Sequence, residues 1–364
     1  MPRVSSTSAR RPVVMWGVAI ASVAILGCAT PAVAAPSSVS AGAGVVVHKY
    51  AAVGAEKNPD DLTQLGDFVY VAFQNGVGSM GEPTANGVAS STIQQYSLSG
   101  KPGKSWNVVG KIDGMTADPA RGRILATVNE DGNSHFVTVD PRHDVVTIYA
   151  YSGLNHGGGT DAISIFDHQI VISGSAPTNS TGGAAYTVKL SGSTAALTPL
   201  IADNATAVAV DGPQAGKPVT LALTDPDSSR VVPSSASRFA GSFMLDSQGD
   251  MQLLFLSDRR QTAGKLSVLN VSTPVDDTAF ATESQRTLWL TDPAANDVVA
   301  VSGLFSPGQA VSTVTPDSGP SYLATLNLTT GALAPIAGLG TVQPKGLIFT
   351  GTAQTRDDEG NQDQ

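Results

Sequence analysis

The segment Asp113–Asp140, DGMTADPARGRILATVNEDGNSHFVTVD, constrains this chain most. It reads as a short strand, an Asp-Pro/Gly turn, a second strand, an Asn/Gly turn and a third strand. Pro presets one turn, Gly and Asn tolerate left-handed backbone, and the β-branched runs between them suit a pleat. Weaker copies of the unit recur from about residue 60 to the C-terminus. A chain that repeats one unit buries its apolar faces by packing the copies against one another.

The copies open with acidic residues: Asp60-Asp61-Leu62, Asp113-Gly114-Met115, Asp161-Ala162-Ile163 and Asp276-Asp277-Thr278. Ala205–Val210 reads as a degenerate member and Lys345-Gly346-Leu347 as the last. Second strands follow at Phe68–Gln74, Arg123–Asn129, Gln169–Ser175, Val219–Asp225 and Thr287–Asp292. Third and fourth strands read as hairpins at Thr92–Gly110, His135–Tyr151, Ala185–Ile201, Ser242–Leu256, Asp297–Val314 and Tyr322–Ala337. Thr220–Val232 and Thr287–Val299 share eight of thirteen positions without a gap, which at equivalent points of two units argues for duplication.

Four-stranded repeats of roughly 40–50 residues predict an all-β chain, a six-bladed β-propeller over residues 45–352. Lys265–Val271 (KLSVLNV) is a strand left over, and assigning it to a further blade makes seven. The inner strand after the last hairpin predicts that the two chain ends complete one blade together. Such closure removes exposed sheet edges. The mature chain is expected to be a monomer.

Composition agrees. Only 14% of residues are charged, Gly (38) and Pro (22) are plentiful, and no long helical periodicity occurs outside the N-terminus. That N-terminus reads as an export signal: Arg3, Arg10 and Arg11, an apolar run Val13–Leu26, and an Ala32-Val33-Ala34 cleavage site. The expected layout is signal peptide 1–34, linker 35–44, propeller 45–352 and a polar disordered tail 353–364. Ile25-Leu26-Gly27-Cys28 resembles a lipoprotein box, which would anchor the chain at Cys28, and Arg10-Arg11 hints at twin-arginine export. Cleavage after Ala34 removes the only cysteine, so the mature chain has no disulfide and no cysteine-ligated metal. It also moves the net charge from −9 to −12. With no basic patch in the sequence, nucleic acid and anionic membranes are poor partners, and no membrane span remains. The expected location is secreted or extracytoplasmic.

The run Met115–Asn129, apolar–x–Asp–Pro–x–x–Gly–x–strand–Asn, is similar to NHL repeats. The chain also resembles six-bladed propellers of the gluconolactonase/SMP-30 type over roughly residues 60–350. That resemblance implies two activities. Several such propellers hold a divalent ion on the axis and hydrolyse lactones, and others only bind partners.

Inner strands of a propeller run along the central channel, so the acids that open them ring one mouth. Asp61, Asp113, Asp161 and Asp277 are therefore the candidate metal ligands, and Ca²⁺, which takes roughly 6–8 oxygens, is the candidate cofactor. Asn75, Asn129, Asp225 and Asp292 are the remaining mouth candidates; the plainer role of such residues is to cap turns. His156, in Asn155-His156-Gly157-Gly158-Gly159, is the candidate general base. The plainer reading makes that stretch an inter-blade turn. His-Gly-Gly-Gly resembles an esterase oxyanion loop, but no G-x-S-x-G nucleophile accompanies it. Gly100-Lys101-Pro102-Gly103-Lys104-Ser105 fails as a phosphate loop, because Pro102 interrupts it and no helix follows.

Two functions follow. The first is a non-catalytic scaffold that binds a small molecule or an extracytoplasmic protein. The second is a divalent-metal-dependent lactonase-type hydrolase with its site at the channel mouth. A streptogramin-lyase-like propeller is a third reading, without a matching His/Glu set.

Overall fold

A computed structural model describes residues 45–51, 56–257, 265–282, 285–303 and 305–351. The signal peptide with Cys28, the linker and the polar tail lie outside the described residues. Apart from one 3-10 turn at Gly212–Gln214, the described secondary structure is strand.

Strand β1 is Val46–Ala51. The first blade is β2 (Pro59–Leu65), β3 (Phe68–Phe73), β4 (Ser90–Ser97) and β5 (Pro102–Val109). The second is β6 (Ile112–Asp118), β7 (Arg123–Val128), β8 (His135–Asp140) and β9 (Val145–Ser152). The third is β10 (Gly159–Phe166), β11 (Gln169–Ser175), β12 (Gly183–Ser191) and β13 (Thr194–Ala202). Each is an antiparallel meander. β13 runs parallel to β9 for three residues and joins the second and third blades at their outer edges.

The fourth blade departs from expectation. β14 (Thr206–Ala209) and β15 (Pro218–Thr220) form a small hairpin at its outer edge. The inner strand is β16 (Pro226–Val231), followed by β17 (Phe243–Ser247), β18 (Gln252–Ser257) and β19 (Lys265–Asn270). Ala205–Val210 is therefore not an inner strand, and Val219–Asp225 is not a second strand. The leftover strand Lys265–Val271 supplies the fourth strand here, and the count is six blades. The sequence PDSSRV hides β16, because it buries only Pro226 and Ser229 and shows no apolar alternation.

The fifth and sixth blades exchange a hairpin. β20 (Val275–Phe280) does not pair with the strand that follows it, β21 (Gln285–Asp292). β20 pairs instead with β23 (Ala310–Val314), which continues to β24 (Tyr322–Leu326) and β25 (Leu333–Pro335). β21 and β22 (Asp297–Ser302) enter the last blade, between β26 (Leu347–Gly351) and β1. Asp297–Val314 is thus not a hairpin. The eight-of-thirteen match joins the lead-in of β16 to a second strand, not equivalent points. The two chain ends do complete one blade, with β26 innermost and β1 outermost.

Burial explains the closure. The six apolar clusters of the described residues each lie between two neighbouring blades. The one between the first and last blades holds Leu62, Tyr96 and fully buried Trp289. Tyr50 of β1 stacks on Trp289 at 5.3 Å between ring centroids, so the N-terminal strand seals the ring with aromatic contact.

Candidate functional site

The inner strands of the first five blades carry the same defect at the same place. Each has one extra residue relative to its partner: between Pro59 and Leu62, Ile112 and Met115, Thr160 and Ile163, Pro226 and Ser229, and in β20 after Val275. Such a bulge bends the strand and re-aims its side chains. Aligned on the bulge, the first positions are Asp60, Asp113, Asp161, Asp227 and Asp276. Lys345 takes that place before β26. All six line one axial cavity of about 40 Å³. That is room for a few waters or one ion, not for an organic substrate.

The next positions are Asp61, Gly114, Ala162, Ser228, Asp277 and Gly346, and Asp61, Gly114, Asp277 and Gly346 join the blades. Asp61 accepts from its neighbour Leu62 N and from Met115 N of the second blade, both at 2.6 Å. Asp277 repeats the device at 2.7 Å, accepting from Thr278 N and from Leu347 N of the sixth blade. It also accepts from Arg230 Nη2 of the fourth at 2.9 Å. At Gly114, a Cβ would lie 2.2 Å from the Asp161 carbonyl oxygen; at Gly346, 2.4 Å from that of Asp60. Only glycine permits these approaches, and a threonine completes each: Thr127 donates to Asp161 O and Thr291 to Asp60 O. Ser164 bonds Ser229 across the third and fourth blades.

The first ring is internally compensated. Lys345 pairs with Asp60 at 2.7 Å, and Lys111 with Asp113 at 2.9 Å. Gln248 donates to Asp276 at 3.1 Å. Asp161 and Asp227 hydrogen-bond each other, so at least one of the two carries a proton. Burial is the largest cause of every shift in this group. It pushes Asp113, Asp161 and Asp227 well above the usual carboxylate range, with further upward pressure from neighbouring acids. Burial also pushes Asp61 up to about 7 against the opposing Arg230 charge, and Asp276 up to about 6 against Lys345. Behind the ring, Asp246 of β17 is fully buried with neither oxygen hydrogen-bonded, and burial raises it well above the usual range.

The four expected metal ligands all line this cavity, but on two levels. Asp113 and Asp161 occupy the first ring, Asp61 and Asp277 the second. Both oxygens of Asp61 and of Asp277 accept backbone N–H groups, and Asp161 is tied to Asp227. Of the four, Asp113 Oδ2 is the buried oxygen without a partner. This set does not fit Ca²⁺, which needs roughly six to eight oxygens. Among the described residues, no group of three or more His, Cys, Asp or Glu is placed to hold a metal ion.

The other candidates go elsewhere. Asn75 and Asn129 adopt left-handed backbone, with φ of 57° and 69°. Their side chains accept from Lys57 N at 2.9 Å and Lys111 N at 3.0 Å, so both tie the end of a second strand to the segment that enters its inner strand. Asp292 caps the β21–β22 turn through Ala295 N and accepts from Gln343 N. Asp225 precedes β16 and does not end a second strand. His156 is fully buried and does not line the channel. Its Nδ1 accepts from Gly158 N at 3.3 Å, its ring lies 5.9 Å from that of Tyr186, and its Nε2 has no partner. Burial lowers its pKa, which keeps it neutral.

Sequence reading missed Asp227 and Arg230, and placed Lys345 at the last inner strand without a role at the site. The signal for Asp227 was present, an acid one residue after Pro as at Pro59-Asp60, but it was masked by the Asp-Pro-Asp-Ser turn composition.

No protein-family model and no curated protein matches the chain. Among solved structures, it is similar to a streptogramin B lyase at 11% identity over 85% of this chain and 95% of that one, TM-score 0.44. It is similar to a protein assigned as a gluconolactonase at 10% identity over 85% and 90%, TM-score 0.45. It is also similar to Kuenenia stuttgartiensis hydrazine synthase at 11% identity over 80% and 71%, TM-score 0.43. These likenesses concern fold and transfer no residue roles.

Proposed function

We propose that the chain is an exported, non-catalytic propeller scaffold that binds a small molecule or an extracytoplasmic protein on its outer surfaces. The commitment of the axial carboxylates carries this reading. Asp61 and Asp277 each use one oxygen on the next N–H of their own strand and the other on joining blades, and the ring acids are paired with lysines, a glutamine or each other. A hydrolase needs a vacant reacting position beside a base. Here the axial space is about 40 Å³ and the one histidine considered as base is buried outside it.

The test is a panel of lactones and esters offered to the purified mature chain, with Ca²⁺, Mg²⁺ or Mn²⁺ added in turn. The expected result is no turnover above buffer. Saturable turnover that disappears in Asp161→Asn would establish the metal-dependent hydrolase instead.

A further inference from the structure

A second cavity lies at the far end of the inner strands of the second and third blades. It is a groove of about 660 Å³ that shares no lining residue with the axial channel. That volume falls within the roughly 300–1,000 Å³ typical of small-ligand sites. Its lining contains Arg121, Arg123, Lys189 and His168, and no carboxylate. In a chain of net charge −9, such a concentration of cations is a local reversal of sign.

The two guanidinium groups are positioned by one carboxylate. Asp118 is 1% exposed, and its Oδ2 accepts from Arg121 Nη1 at 3.2 Å and Arg123 Nε at 3.0 Å. Among the described residues, the side chain of each arginine bonds through one nitrogen, Arg121 Nη1 and Arg123 Nε. Lys189 of β12 also lines the groove and forms no ion pair among the described residues. His168 stands at the rim in a two-residue turn between β10 and β11, where Asp167 and His168 have φ of 48° and 58°. Turns of this kind favour Asn-Gly, so an imidazole there is held in an unusual place. The floor is apolar, with Ile170 opposite Val188 on adjacent strands.

We propose that this groove binds a small organic phosphate monoester, its head between Arg121, Arg123 and Lys189 and its organic body on Ile170 and Val188. Arg121, Arg123 and Lys189 set against the one buried carboxylate of Asp118 leave two net positive charges, which suit a dianion better than a single carboxylate. Guanidinium forks match phosphate oxygens two at a time. The apolar floor favours an ester over inorganic phosphate.

Calorimetric titration of the full chain with phenyl phosphate, benzoate and benzyl alcohol at low salt tests this. Phenyl phosphate is expected to bind about tenfold more tightly than benzoate or better, and benzyl alcohol to give no binding heat. Arg121→Gln combined with Lys189→Gln changes two exposed side chains and is expected to weaken phenyl phosphate about tenfold or more. Lys104→Gln, which removes a cation elsewhere on the surface, is expected to leave binding unchanged. No binding by the parent chain overturns the proposal, as does equal affinity for benzoate or equal affinity in the double variant. The lactone panel probes a different cavity, so either reading can fail alone.

Discussion

Replacing Asp277 by Ala removes the joint between three blades. Its carboxylate accepts from Thr278 N and Leu347 N at 2.7 Å and from Arg230 Nη2 at 2.9 Å. Thr278 and Leu347 are fully buried, so both N–H groups lose their partner where water does not replace it. Each such loss costs about 1–3 kcal/mol. Stranding a buried charge costs about 3–5 kcal/mol. Arg230 is at the low end of that range, because it keeps its bonds to the Thr278 and Leu347 carbonyls. The total is about 5–9 kcal/mol, a large share of the roughly 5–15 kcal/mol that holds a typical domain folded. Equilibrium urea unfolding, followed by both tryptophan fluorescence and circular dichroism, measures it. Asp144→Asn is the control, since its pair with Lys104 is more than half exposed and is worth at most about 1 kcal/mol. An Asp277→Ala protein within about 1 kcal/mol of its parent would refute the role given to this carboxylate.

Acid conditions should stabilise the fold. A carboxyl whose folded pKa lies above its unfolded value binds more protons folded than unfolded in that interval. Its stability is therefore full below the unfolded value of 3.8 and is lost as pH rises, up to about 6 for Asp276 and about 7 for Asp61. Asp61 alone accounts for at most roughly 2–3 kcal/mol between about pH 5 and pH 7, less what water screens at its partly exposed side. Lowered His135 and His156 act in the opposite direction, but the raised carboxyls outnumber them. The urea midpoint should be higher near pH 5 than near pH 7.5, and the reverse order would contradict the assignment. Gly114→Ala should destabilise by about 1–3 kcal/mol or more through overpacking against the Asp161 carbonyl, measured by the same unfolding curves. A neutral result there would mean that the second and third blades do not meet as described.

Much of the architecture was legible because turn chemistry is local. Asp-Pro, Asn and Gly marked the turns, acid-led openings located four of the six inner strands, and Lys345-Gly346-Leu347 located a fifth. β16 escaped because PDSSRV lacks the apolar spacing that the others show. The exchange of β21–β22 escaped for a different reason: pairing is long-range, and Thr287–Asp292 is equally suited to lie beside β20 or β26. At the site, the acids that line the channel were identified, but not their levels. One bulge residue separates Asp61 and Asp277 from Asp113 and Asp161. That offset comes from backbone pairing and has no side-chain period to reveal it. Partners were invisible for the same reason. Met115 N and Leu347 N come to their carboxylates from neighbouring blades 54 and 70 residues away in sequence.

The central claim is that the axial carboxylates hold the ring together and do not hold an ion. Thermal unfolding of the metal-free chain during a Ca²⁺ titration into the millimolar range tests it most directly. A cation bound only by the folded state would raise the midpoint, by about 2.7 kcal/mol of stability at one hundred times its dissociation constant. The account predicts no shift. A saturable rise that Asp113→Asn with Asp161→Asn abolishes would contradict it.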